Sequence, residues 1–200
     1  MKHVLALMLA VFTSAALAQP PANPPVRVRG TVEKLDGNLL TVKARNGQSM
    51  TIKLADNYVV VGIQKAGIAD IGQDKFIGTT TVGEKDGALV AEEVHIFPEA
   101  MRGTGEGHYD WDLRPTSKIT NANVANVTSM GKDRVLTAQY KGGEKKVLVP
   151  ESAVIVSFTP TERSELKPGA KVFTVTQRQP DGSLTAARVN VGLKGQIPPM

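Results

Sequence analysis

The sequence predicts an all-β protein made of two tandem small β-barrels, and three observations carry that expectation. The first is an internal repeat with a period of about 95 residues. Leu39-Leu40-Thr41-Val42 returns as Val135-Leu136-Thr137-Ala138, Asp86-Gly87-Ala88-Leu89-Val90-Ala91 as Asp181-Gly182-Ser183-Leu184-Thr185-Ala186, and Val94-His95-Ile96 as Val189-Asn190-Val191. A copy of roughly 70 residues is too long for a solenoid unit that leans on its neighbours and long enough to close a modest core. The second observation is a series of short-spaced turn signals: Asp36-Gly37, Asn46-Gly47, Asp86-Gly87, Gly142-Gly143 and Asp181-Gly182. Such pairs tolerate the positive φ of two-residue hairpin loops. The third is apolar alternation between the turns, as in Leu40, Val42, Ala44 and in Met50, Ile52, Leu54, which is the period of a half-buried strand.

Taken in chain order, the first element is a leader. Lys2 and His3 precede an apolar run that reaches Ala16-Leu17-Ala18, the layout of a cleavable secretory signal over 1–18. Cleavage there would start the mature chain at Gln19 and place it in the periplasm or outside the cell. No cysteine follows to carry a lipid anchor, and no later apolar run approaches the ~20 residues of a membrane-spanning helix. A proline-rich tether, 19–25, leads into a first repeat over 26–97, with strands expected at 26–35, 39–45, 48–54, 58–63, 75–82 and 88–97. A connector, 98–123, follows, and then a second repeat over 124–193 with strands at 124–130, 134–141, 144–149, 153–158, 171–178 and 183–191. A proline-containing tail, 194–200, closes the chain. Between the fourth and fifth strands of the second repeat, Thr161 to Leu166 reads as one helical turn, with Thr161 as its cap and Leu166 pointing inward before Pro168-Gly169. Short strands with one inserted turn suit a small closed barrel of the oligonucleotide/oligosaccharide-binding (OB) kind or an SH3-like roll, and closure removes exposed edges.

The turn and core residues also carry a resemblance. Gly30-Thr31-Val32, Asp36-Gly37-Asn38-Leu39-Leu40-Thr41-Val42, Ala69-Asp70-Ile71 and Asp86-Gly87-Ala88-Leu89 in the first copy, with Glu165-Leu166-Lys167-Pro168-Gly169 in the second, resemble a bacterial family of exported barrel domains of unknown function. That family opens on G-T-V and D-G-x-x-L-T-V, turns at L-K-P-G and closes on D-G-x-L-x-A. The second copy departs at the opening, where Val124-Ala125-Asn126-Val127 stands in place of G-T-V. The resemblance covers most of the chain after the leader and implies the fold; it implies no catalytic residue.

Composition narrows the function classes. With no cysteine in the chain, disulfides, thiolate metal sites and cysteine nucleophiles are excluded. Charge is uneven: the first repeat is neutral, the connector is −1, and 124–197 is +5. That excess includes Lys132, Arg134, Lys141, Lys145 and Lys146 on two adjacent hairpins, a basic face that suits an anionic envelope component. Nucleic acid is disfavoured because single-strand binders stack bases on aromatics, and only Tyr140 lies near.

The connector is the least repetitive segment and holds the single tryptophan. From it Arg102, His108, Tyr109 and Trp111 join the basic residues as candidate ligand contacts. Glu93, His95, His108, Asp110 and Asp112 form a candidate divalent-metal set, imidazole with carboxylate suiting zinc or a similar ion. Against it stand ordinary surface roles for these groups and the absence of any H-x-x-x-H or H-E-x-x-H spacing. Gly103-Thr104-Gly105-Glu106-Gly107 lacks the following helix and the Gly-Lys-Ser/Thr of a phosphate loop, so it reads as a hinge. No serine sits in a G-x-S-x-G elbow. The expectation is therefore a non-enzymatic exported binding or assembly module without a resident cofactor. Two alternatives stand beside it: a periplasmic metal-handling protein using the connector His and Asp residues, and a structural spacer whose partner is another envelope protein.

Overall fold

The computed structural model describes residues 24–199, and they are all-β. The strands are β1 (Val26–Asp36), β2 (Leu39–Ala44), β3 (Ser49–Lys65), β4 (Phe76–Lys85), β5 (Ala88–Ile96), β6 (Gly107–Asp110), β7 (Lys118–Met130), β8 (Asp133–Tyr140), β9 (Gly143–Val149), β10 (Val154–Pro160), β11 (Lys171–Arg178) and β12 (Leu184–Gly192). Three single 3-10 turns, Ile68–Asp70, Glu99–Met101 and Arg163–Glu165, interrupt them. No helix among the described residues is long and apolar enough to cross a membrane. The leader and most of the tether lie outside the described residues.

The hairpins form where the turn residues place them. At the β4–β5 turn Asp86 and Gly87 both take positive φ, 51° and 74°, the pairing a right-twisted two-residue hairpin requires. β1, β2, β3, β12 and β11 close a five-strand barrel: neighbours are antiparallel except β3 and β12, which run parallel. A second ring, β7–β8–β9–β5–β4, returns on itself through a short parallel pairing of β5 with β9.

The sequence boundaries follow the repeat, whereas the rings draw on both copies. The first ring takes β1–β3 from the first copy and the β11–β12 hairpin from the second; the second ring takes β7–β9 from the second copy and the β4–β5 hairpin from the first. The exchange obeys the repeat's symmetry. Leu89 pairs with Val147, while its counterpart 95 positions on, Leu184, pairs with Ile52. The physical reason is β3. Two strands were expected at 48–54 and 58–63, but one strand of 17 residues spans both. At about 3.3 Å per residue it covers roughly 55 Å, more than one wall of a small barrel, so it delivers the chain to the other ring. β10 brings the chain back, antiparallel to β3 with Phe158 opposite Ile63. Those two residues are also repeat counterparts, so an approximate two-fold axis passes through their pair.

Each ring has its own core. Val28, Leu40, Val42, Ile52, Leu54, Val172, Val189 and Val191 fill the first, and Leu166 plugs it. Ile77, Val94, Val124, Leu136, Val147 and Val149 fill the second, with Ile71 in the equivalent place. Leu166 points inward as expected, but its turn is capped at Glu162 rather than Thr161 and without a side-chain cap bond. A third cluster, Val61, Ile63, Val156, Phe158 and Phe173, joins the rings, and Phe97, Met101 and Trp111 pack on it.

Candidate functional site: a cleft between the rings

The strand exchange leaves a cleft of about 1040 Å³ beside the third cluster. That volume is at the upper end of small-molecule pockets. The long strand opens one wall: its register with β12 slips between Leu54 and Val59, and Ala55, Asn57 and Val59 border the cleft. β12 adds Ala187, Arg188 and Asn190, β11 adds Phe173 and Val175, β10 adds Phe158, and β1 adds Arg27. The second ring contributes His95 and Phe97 from the end of β5, Asn121 from β7, and Tyr109 and Trp111 from the connector.

Aromatic rings dominate its floor. Phe97 stacks on Phe158 at 4.8 Å, His95 meets Phe158 edge-on at 6.1 Å, and Trp111 tilts against Phe173 at 6.4 Å between centroids. The Arg27 guanidinium lies 4.1 Å from the centre of the Trp111 ring, a cation–π contact. Among the seven exposed large apolar side chains of the described residues, Val59, Tyr109 and Val175 all border this cleft.

Polar atoms converge there as well. Buried polar side-chain atoms are nearly always hydrogen-bonded, yet seven among the described residues have no such partner. Five of them belong to cleft residues: Arg27 Nε, His95 Nε2, Trp111 Nε1, Asn121 Oδ1 and Asn190 Oδ1. His95 and Asn190 are repeat counterparts, buried at 1% and 7% exposure on either side of the two-fold axis. The orientation of Asn121 is fixed, since its Nδ2 donates to the Thr104 and Gly105 carbonyls at 3.2 and 3.1 Å and lies 3.4 Å from Tyr109 Oη. Its Oδ1 is therefore an acceptor. Gly78 makes room for it, because a Cβ on Gly78 would stand 2.5 Å from that oxygen.

Asp112 anchors the rim. It accepts hydrogen bonds from Arg29 at 2.7 and 3.1 Å and lies 3.8 Å from Arg27 Nε. Burial pushes its carboxyl up, but the Arg29 hydrogen bond and the charges of Arg29 and Arg27 outweigh that and hold it below the usual carboxylate range. Burial raises the Tyr109 phenol.

The candidate metal set is not assembled. Glu93 and His95 face each other at 3.6 Å on one side of β5, and both are buried rather than on a solvated face. His108 is on the opposite side of the same sheet. It pairs with Thr120, which pairs with Thr79 and so with Val94, whereas the row of His95 runs through Gly78 to Asn121. His108 Nδ1 meets Thr120 Oγ1 at 2.9 Å, Asp110 is taken by Lys118, and Asp112 by Arg29. Among the described residues no group of three or more metal-binding side chains converges. Strand alternation is the reason: 95 and 108 fall on opposite parities across the paired rows.

Of the candidate ligand contacts, Tyr109 and Trp111 reach the cleft. Arg102 instead ties the connector down, bonding Glu99, Asn123 and the Asp74 carbonyl at 2.8 Å. The basic residues spread out. Lys145 and Lys146 are consecutive in β9 and so project to opposite faces, Lys132 pairs with Glu151 at 3.3 Å, Arg134 bonds the Asp133 carbonyl at 3.1 Å, and Lys141 meets Glu106 through its backbone. The connector is ordered, with β6 paired to β7. Its glycine-rich run turns carbonyls of Thr104 and Gly105 toward Asn121.

Sequence reasoning missed Arg27, Lys53, Phe97, Phe158, Phe173, Asn121, Arg188 and Asn190. One signal was available, since the V-x-[IV] that ends each repeat holds a polar residue, His95 or Asn190, between two apolar ones. Comparison of the chain with protein-family models, with curated proteins and with solved structures finds no match.

Proposed function

We propose that this chain is a non-enzymatic, exported binding module whose site is the cleft between two OB-like barrels. The OB-like reading rests on strand order. In each ring a three-strand meander is completed by a hairpin whose last strand runs parallel to the third, with a plugging turn ahead of the hairpin. Export rests on the leader-like sequence over 1–18 and places the protein in the periplasm or outside the cell.

The observation that carries the binding reading is the coincidence of two exceptions in one place. Unpartnered buried polar atoms and exposed apolar side chains are each unfavourable, and five of the seven former and three of the seven latter border the same cleft. A ligand that presents both apolar surface and hydrogen-bonding groups relieves both costs at once. Among the described residues that border the cleft no nucleophile is hydrogen-bonded to a base, which favours binding over catalysis.

The test is binding of N-phenyl-1-naphthylamine, an uncharged fluorophore that brightens in apolar sites. The expected result is saturable binding by the native protein and its loss in Ala187→Trp, an exposed position on β12 where a large ring would occupy the cleft. Unchanged binding in that variant would show that the cleft is not the site.

A further inference from the structure

We infer that the cleft selects an organic anion, a carboxylate, sulfonate or phosphate head on an apolar, ring-sized body; this rests on the binding reading above and adds the charge of the ligand to it. The argument is one of complementarity. Among the described residues three permanent cations border the cleft, Arg27, Lys53 and Arg188, and no aspartate or glutamate does. Three carboxylates act on wall residues without bordering it: Glu93, 3.6 Å from His95, Asp112, 3.8 Å from Arg27, and the exposed Asp181, whose carboxyl feels the charge of Lys53. Asp112 is already engaged by Arg29, two of whose nitrogens hold its carboxylate.

Among the described residues Arg188 and Lys53 form no ion pair within 4.0 Å, although the charge of Lys53 is felt by the exposed Asp181; Arg102, Arg114 and Lys118 of the connector are by contrast each bonded to a carboxylate. They sit on β3 and β12, the parallel pair that closes the first ring, on either side of its register slip. A cation beside a low-dielectric aromatic floor attracts an anion more strongly than the same cation on an open surface. The ring-sized body follows from the floor, where Phe97, Phe158, Phe173 and Trp111 form two aromatic pairs.

A matched pair of probes isolates the charge. 8-Anilinonaphthalene-1-sulfonate and N-phenyl-1-naphthylamine share the aromatic body and the anilino N–H and differ by one sulfonate. Charge-assisted hydrogen bonding to the cations should make the sulfonate bind about tenfold tighter or better to the native protein. The double variant Lys53→Gln, Arg188→Gln should erase that preference, bringing the affinity for the sulfonate down to that for the uncharged probe measured in the same variant. Lys145→Gln, Lys146→Gln, which removes charge from the second ring, should change neither. Equal or weaker binding of the sulfonate in the native protein overturns the anion inference while leaving the binding reading intact. So does a preference that is lost in the Lys145, Lys146 variant and kept in the Lys53, Arg188 one. Failure of both probes to bind overturns the binding reading itself.

Discussion

Asn121 shows how one side chain links the fold to the site. Its amide nitrogen holds the connector through two carbonyls, and its oxygen, packed against Gly78, has no hydrogen-bond partner. That is sterically feasible only because residue 78 has no side chain: an added Cβ would also stand 3.2 Å from the Phe97 ring. Gly78→Ala should therefore lower stability by about 1–3 kcal/mol, the usual cost of overpacking, seen as a reduced thermal midpoint. It should also weaken naphthylamine binding. A midpoint equal to the native one would show that Asn121 and Phe97 yield freely. His108 makes a separate prediction. Burial, then the charges of Lys145 and Lys118, lower its pKa, and Asp110 opposes them only in part. The unfolded chain then binds the proton more readily than the folded one. The associated stability is full above the ordinary histidine value of about 6.5 and is lost as pH falls from there through the lowered value of the folded state. Thermal midpoints taken from about pH 7.5 down to about pH 6 should fall more for the native protein than for His108→Gln; parallel curves would contradict this.

At the scale of elements, the parts that chemistry marks locally were legible. Hairpin ends follow Gly, Asn and Asp, and alternation located strands such as β2 and β9 to within a residue or two. Elements set by tertiary partners were not. β7 begins at Lys118, well before the expected 124, because its first half is polar on both faces. Thr120 and Asn121 are buried against Thr79 and Gly78 of β4, so a buried polar stretch of sheet hid the strand. β6 lies in a glycine-rich run that reads as a hinge. The plugging turns show the opposite case, a single residue read correctly from pattern. Leu166 is 3% exposed under the first ring, and Leu166→Ala should cost about 2–5 kcal/mol. Because the first ring supplies β3, β11 and β12 to the cleft, the same variant should lose naphthylamine binding at temperatures where the native protein retains it. A loss of stability below about 1 kcal/mol would mean that the barrel end collapses to fill the gap.

The architecture of the whole molecule is where sequence pattern runs out. A repeat states which residues are equivalent; it does not state which copy they pair with. Leu89 could satisfy its alternation against Ile52 of its own repeat or against Val147 of the other, and only the unbroken β3 decides for the second. The cleft lies at that exchange, which is why its residues, scattered over both copies, did not read as a site. The exchange also fixes what can fold alone. Every residue of the second core lies between Ala66 and Ile155, a contiguous stretch, whereas the first core is split between Val26–Val60 and Leu166–Leu193. A fragment spanning 66–157 should therefore fold as a monomer with a single cooperative transition. A fragment spanning 24–97, the first repeat by sequence, contains β1–β3 without β11 and β12. It should be unfolded, or recover a barrel only by borrowing the β4–β5 hairpin of a second copy as a concentration-dependent dimer. Sedimentation and thermal unfolding of the two fragments distinguish these outcomes. If 24–97 instead unfolds cooperatively as a monomer, its own β4–β5 hairpin can close the first ring, the exchange is a choice between two near-equal pairings, and a cleft built on it would exist in only part of the population.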